Sequence, residues 1–248
     1  MSAITLTSIV FAIVFAAALT GMFLRTVLPE NHLSDAAKDT VRIGIGLVVT
    51  IAGMVLSLLI WSAKNNYDTQ RTELTEMSAK VALLDRVLAH YGPEAKEPRD
   101  AVRAAATLLL DRLSSQDRNA LQPVGAASEV LYDKIQELSP QNDSQRWLQG
   151  QALSIALAIG QTRWLMYEQS AASMPTPLLA VLIFWLVVIF ISFGLYAPNN
   201  LTVVCSFFVS ALVVSCAVFL ILEMYSPFGG IIRISTAPLR AALANLGH

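Results

Sequence analysis

Between Ile43 and Ser62 the chain carries no charged side chain, and this run sits inside a longer stretch, Asp35 to Tyr91, that contains no proline. An α-helix rises ~1.5 Å per residue, so the uncharged run is long enough to cross ~30 Å of hydrocarbon. The stretch predicts one unbroken helix, membrane-spanning in its first half and amphipathic in its second, with Ser34 as N-cap and Tyr91-Gly92-Pro93 as its stop. Two stripes run along it. Gly46, Thr50, Gly53 and Ser57 recur at i+4, i+3 and i+4, a small-residue face in the membrane half. Leu74, Met77, Val81, Leu84, Leu88 and Tyr91 recur at 3-4-3-4-3, an a/d seam in the polar half.

Three further apolar runs have spanning length: Ile4 to Leu24, Leu178 to Tyr196 and Leu201 to Leu222. A cleaved signal peptide is the competing reading of the first. Met1-Ser2-Ala3 supplies no positive charge and the run is long for an h-region, so a retained span is expected. Only 14% of the chain is charged and 55% is hydrophobic, against roughly 25% charged residues in soluble domains. A formal net charge of -1 leaves no nucleic-acid footprint. Cys205 and Cys216 share one helical run, ~16 Å apart along its axis, too far for a disulfide.

The fold class read from this pattern is all-α, an integral membrane protein of four transmembrane helices with a cytosolic helical domain inserted between the second and third. The boundaries are 1–63 for the first two spans, 64–174 for the inserted domain, 175–225 for the last two spans and 226–248 for a cytosolic tail helix. Within the domain, helices are expected over Glu94–Leu113, Ala126–Leu138 and Asp143 to about Ser170. The first of these has an apolar face of Val102, Leu109, Leu110 and Leu113. Lys64, Arg71, Arg163, Arg233 and Arg240 fall on one side of the membrane and Arg25, Lys38 and Arg42 on the other. That bias places both termini in the cytosol.

No catalytic or metal centre stands out. His32, His90 and His248 lie far apart, with no second His or Cys at ligand spacing. Gly44-x-Gly46 opens a span and lacks the remainder of a nucleotide fingerprint. An enzyme is not expected, and no cofactor or metal is implied. None of the four apolar runs holds an Asp, Glu, Lys, Arg or His, which disfavours a proton- or sodium-coupled pump. The small face has two readings, close helix–helix packing or the lining of a pore in an oligomer. The seam likewise serves either the domain's own packing or a parallel oligomeric bundle. Glu223, just past the fourth run, is either a solvated helix-end acid or an ion-facing or subunit-pairing group. Trp61 sits where an interfacial anchor belongs.

Several stretches carry a resemblance, among them LPENHLSDAAKDTVRIGIGLV, LLDRVLAHYGPEA, LSPQNDSQRWLQGQAL, FWLVVIFISFGLYAPNN and FLILEMYSPFGGIIRISTAPLRAALANLG. In these the chain resembles a bacterial family of membrane proteins described as bestrophin-like. It departs from the expected pattern at Met54 and Ser57, where Leu and Gly are common, and at Tyr225-Ser226. The resemblance implies a homo-oligomeric ion channel of the bacterial inner membrane, pentameric by analogy with bestrophins, whose second span lines the pore. Its partners would be the lipid bilayer, copies of itself and inorganic ions. A non-conducting membrane scaffold whose cytosolic domain binds a partner protein is the alternative.

Overall fold

The computed structural model describes residues 3–28, 35–115, 122, 125–171 and 176–246. The predicted Ser34 cap, His32, His248 and the Met174-Pro175 break lie outside them. Among the described residues every regular element is helical: α1 (Ala3–Val27), α2 (Asp35–Tyr91), a 3-10 turn (Pro93–Ala95), α3 (Lys96–Ser114), α4 (Gly125–Gln136), α5 (Asp143–Ala171), α6 (Thr176–Tyr196), α7 (Leu201–Met224) and α8 (Ala237–Ala244). Four of them, α1, α2, α6 and α7, are long and apolar enough to cross a membrane. The chain divides into two compact units, residues 1–65 with 173–225 and residues 66–172 with 226–248. Helix α2 contributes to both.

In the first unit α1 packs against α6 and α7. At the α1–α6 crossing the two backbones come very close. A Cβ built on Gly21 would stand 2.1 Å from the Ile191 carbonyl oxygen, and one on Gly194 would stand 2.2 Å from that of Ala18. Small residues permit this approach, and in lipid, where no hydrophobic drive joins helices, such van der Waals contact is a main source of cohesion. Phe208 of α7 meets Phe11 and Phe15 of α1 edge-on, with ring centroids 5.2 and 5.6 Å apart. Hydroxyls on the spans turn back onto the preceding helical turn: Ser8 donates to Ile4 O, Thr20 to Ala16 O and Ser192 to Val188 O. No hydroxyl in these pairs is left bare toward hydrocarbon. Arg25, at the end of α1, donates to the Ala197 carbonyl in the turn between α6 and α7.

In the second unit the a/d seam forms the core. Leu74, Met77, Leu84 and Leu88 are 0% exposed, Tyr91 is 3% and Val81 is 6%. They pack with Val102, Leu109 and Leu113 of α3, Ile135 of α4, Met166 of α5 and Leu239 of α8. The C-terminal segment is part of this unit rather than a separate tail, because Ile234, Leu239 and Leu246 are buried in the same cluster. Arg103 of α3 also donates to the Leu246 carbonyl.

Helix ends are closed by side chains reaching across the unit. Gly92 takes φ 131°, a left-handed conformation that stops α2. Gln145 Nε2 then donates to the terminal Tyr91 carbonyl at 3.1 Å. Gln149 Nε2 lies 2.9 Å from Ile135 O and 2.8 Å from Leu138 O, which closes the end of α4. The start of α5 is a reciprocal cap. Asn142 Oδ1 accepts from Gln145 N at 2.8 Å, and Gln145 Oε1 accepts from Gln141 N at 2.8 Å.

Candidate functional site

The membrane half of α2 is the least enclosed of the four spans. It buries one narrow stripe, Ile45, Ala52, Leu59 and Ala63, against the first unit's core. These positions recur at i+7, i+7 and i+4, so the small-residue face points elsewhere on the same helix. Gly46, Thr50, Gly53 and Ser57 are all exposed. A Cβ built on Gly46 or Gly53 would meet nothing within 4 Å. Among the described residues, then, nothing packs against the two glycines of this face, in contrast to Gly21 and Gly194. Beyond it stands an apolar ridge of Ile43, Leu47, Met54, Leu58 and Trp61, each more than half exposed.

The two hydroxyls on the face are already committed as donors. Thr50 Oγ1 donates to Gly46 O at 2.9 Å and Ser57 Oγ to Gly53 O at 2.9 Å. Their oxygen lone pairs are what they present outward. At the Asp39 end of the face lies a cavity of about 830 Å3. It is lined by Asp39, Arg42 and Gly46 from α2 and by Ser192, Phe193 and Tyr196 from α6. Both charged side chains there are exposed.

At the opposite end α7 runs two residues past the predicted Leu222 and carries Glu223 with it. Glu223 is 3% exposed. The solvated helix-end reading is therefore corrected: tertiary packing at the end of α7 covers this acid. Close by in sequence, Tyr225 Oη lies 3.1 Å from Ser62 Oγ of α2, a polar tie between α7 and α2.

In the second unit Asp85, 3% exposed, is held by two parallel bonds from Arg99, Nε to Oδ1 at 2.7 Å and Nη2 to Oδ2 at 3.0 Å. That hydrogen-bonding carboxylate raises the Arg99 pKa. Burial pushes the Tyr91 phenol up, and the Glu94 charge adds to it. Burial lowers the Arg163 guanidinium, and the like charge of Arg112 adds to it. Among the described residues no group of three or more His, Cys, Asp or Glu is placed to hold a metal ion.

A model of the bestrophin-like domain matches residues 11–239. The chain belongs to the bestrophin-like family. Searches of the curated proteins and of the solved structures returned no match. The match runs from within α1 to the start of α8, so it takes in most of each unit of this bestrophin-like protein.

The sequence places the small face and the seam on one helix, and the structure separates their settings. The six seam residues are covered by the chain's own helices, whereas the four small-face residues are not. Sequence periodicity marks neither the Asp85–Arg99 pair nor the Tyr225–Ser62 contact, since both join residues far apart along the chain.

Proposed function

We propose that this bestrophin-like membrane protein is a homo-oligomeric ion channel, pentameric by analogy with bestrophins, with the small-residue face of α2 lining the conduit. The observation that carries the reading is the exposure of Gly46, Thr50, Gly53 and Ser57, with open space beside both glycines. A small-residue face left open by the protomer suits close approach of a second copy of the helix or the wall of a shared aqueous path. Chain carbonyls and hydroxyl oxygens are groups that replace an ion's hydration in a pore. The cavity lined by Asp39 and Arg42 at one end of the face supports a hydrated mouth. The membrane is the bacterial inner membrane, with both termini and the second unit in the cytosol, in keeping with the distribution of Lys and Arg.

Reconstitution into a planar bilayer tests this. Discrete unitary currents under an ion gradient, together with a particle mass of several protomers in detergent, are the expected results. A monomer with no current under any gradient removes the proposal. The second reading is a non-conducting scaffold that binds a soluble partner through its helical unit. It is favoured by the exposed aromatic and aliphatic side chains on α5, Trp147 at 64%, Leu157 at 52% and Trp164 at 52%. Stoichiometric co-purification of one soluble protein without ion flux would select it.

A further inference from the structure

The second unit holds an apolar cavity that the pore reading does not use. It measures about 740 Å3, within the ~300–1,000 Å3 of pockets that take small organic ligands. Its floor is the a/d seam, where Met77, Val81 and Leu84 are buried. Small side chains on α3 and α5 give it width, Ala105 and Ala106 on one helix, Ala156 and Gly160 on the other. A Cβ built on Gly160 meets nothing within 4 Å, so this glycine serves no close helix contact and leaves space instead. The exposed side chains of Leu157 and Trp164 also line the cavity, which is therefore open to solvent. Protein interiors hold few voids larger than a water molecule. An apolar space of this size over a packed core is a place for a ligand.

One of the lining residues is a cation with few partners. Arg163 of α5 is half-buried, and its Nη2 donates to Gln122 O at 3.1 Å. Its Nε is enclosed with no acceptor. The neighbouring charge that acts on it is Arg112 of α3, of like sign. Among the described residues no carboxylate pairs with either arginine. Glu129 and Asp133 of α4 line the cavity too, but both are exposed and neither acts on Arg163. A partly desolvated charge beside a like charge is costly until an anion joins it. With Nε shut in, such an anion takes its hydrogen bonds from Nη1 and Nη2, and bonds of this charged kind are the strong ones. Apolar volume beside an underserved guanidinium is the complement of an anionic amphiphile.

We propose that the cavity over the α2 seam binds a single acyl chain whose anionic head pairs with Arg163 and Arg112. The chain lies against Met77, Val81 and Leu84 between the small residues of α3 and α5. A free fatty acid and a lysophospholipid share this chemistry. The site is separate from the small-residue face and holds whether or not the protein conducts.

The test uses the full-length protein in lipid nanodiscs, where no detergent competes for the cavity, and a diazirine-bearing myristate as probe. Photolabelling is expected on residues 102–109 of α3 and 156–165 of α5, and unlabelled myristate is expected to displace it. From octanoate to myristate each added methylene should raise the competing affinity roughly fourfold. A lysophosphatidate of the same chain length, set against myristate, distinguishes the two sources by which displaces the probe at lower concentration. Gly160→Phe has room for its side chain and removes a helix-interior glycine, so it should melt no lower than the wild type. Its labelling should fall about tenfold. Arg163→Gln keeps an amide donor for Gln122 O, and the myristate concentration needed for displacement should rise roughly tenfold or more. Labelling confined to the apolar spans would overturn the proposal. So would equal displacement by tetradecanol or by tetradecyltrimethylammonium, undiminished labelling in Gly160→Phe, or unchanged affinity in Arg163→Gln.

Discussion

Gly21 and Gly53 have the same side chain and opposite surroundings. Gly21→Val forces a methyl group into the Ile191 carbonyl, and backbone cannot move aside as a flexible side chain can. Overpacking of this kind costs about 1–3 kcal/mol, and Gly21→Val is expected to lower the melting temperature measurably. Gly53→Val in the open face is expected to leave it within experimental error. A thermal-shift comparison of the two variants in one detergent checks both. Asp85 and Arg99 make the second residue-scale case. Arg99→Ala leaves a carboxylate 3% exposed without its fork of donors. The cost is of the order of 3 kcal/mol, to be read as lost stability in denaturant or heat. Lys134→Ala, which removes exposed contacts to Glu97 and Glu137, is expected to change little by the same assay.

The long helix α2 shows how much of an element its sequence announces. Proline-free length, an uncharged first half and a 3-4 seam marked its bounds at Asp35 and Tyr91, because these signals are local and repeat every turn. Gly92-Pro93 marked its end for the same reason. The caps from Gln145 and Gln149 were not legible, since each closes a helix other than its own and depends on how α5 lies against α2 and α4. Gln149→Leu is expected to uncover the end of α4 and cost about 1–3 kcal/mol. Faster amide exchange confined to the last turn of α4 would show it, and unchanged exchange there would contradict it. Of the two sequence readings of Glu223, the solvated one fails for a related reason: the composition of one helix end does not say which neighbours cover it.

At the scale of the whole molecule the spans and the helical unit between them were legible from hydropathy and breaks alone, and the family match covers both units. What hydropathy does not convey is which face of each span the protomer leaves uncovered. In the first unit α1, α6 and α7 bury their small residues and aromatic rings against one another. The membrane half of α2 is joined to them by one stripe, and its small-residue face stays open. An apolar span with hydroxyls and bare backbone on an uncovered face makes sense as one wall of a shared conduit. Unitary current from the wild type and from Gly53→Leu, recorded in the same planar bilayer, tests that claim most directly. The protomer has room for the new side chain, so the variant should fold, melt and assemble as the wild type does while its unitary conductance falls several-fold. Equal conductance in the two proteins, or none in either, would contradict it.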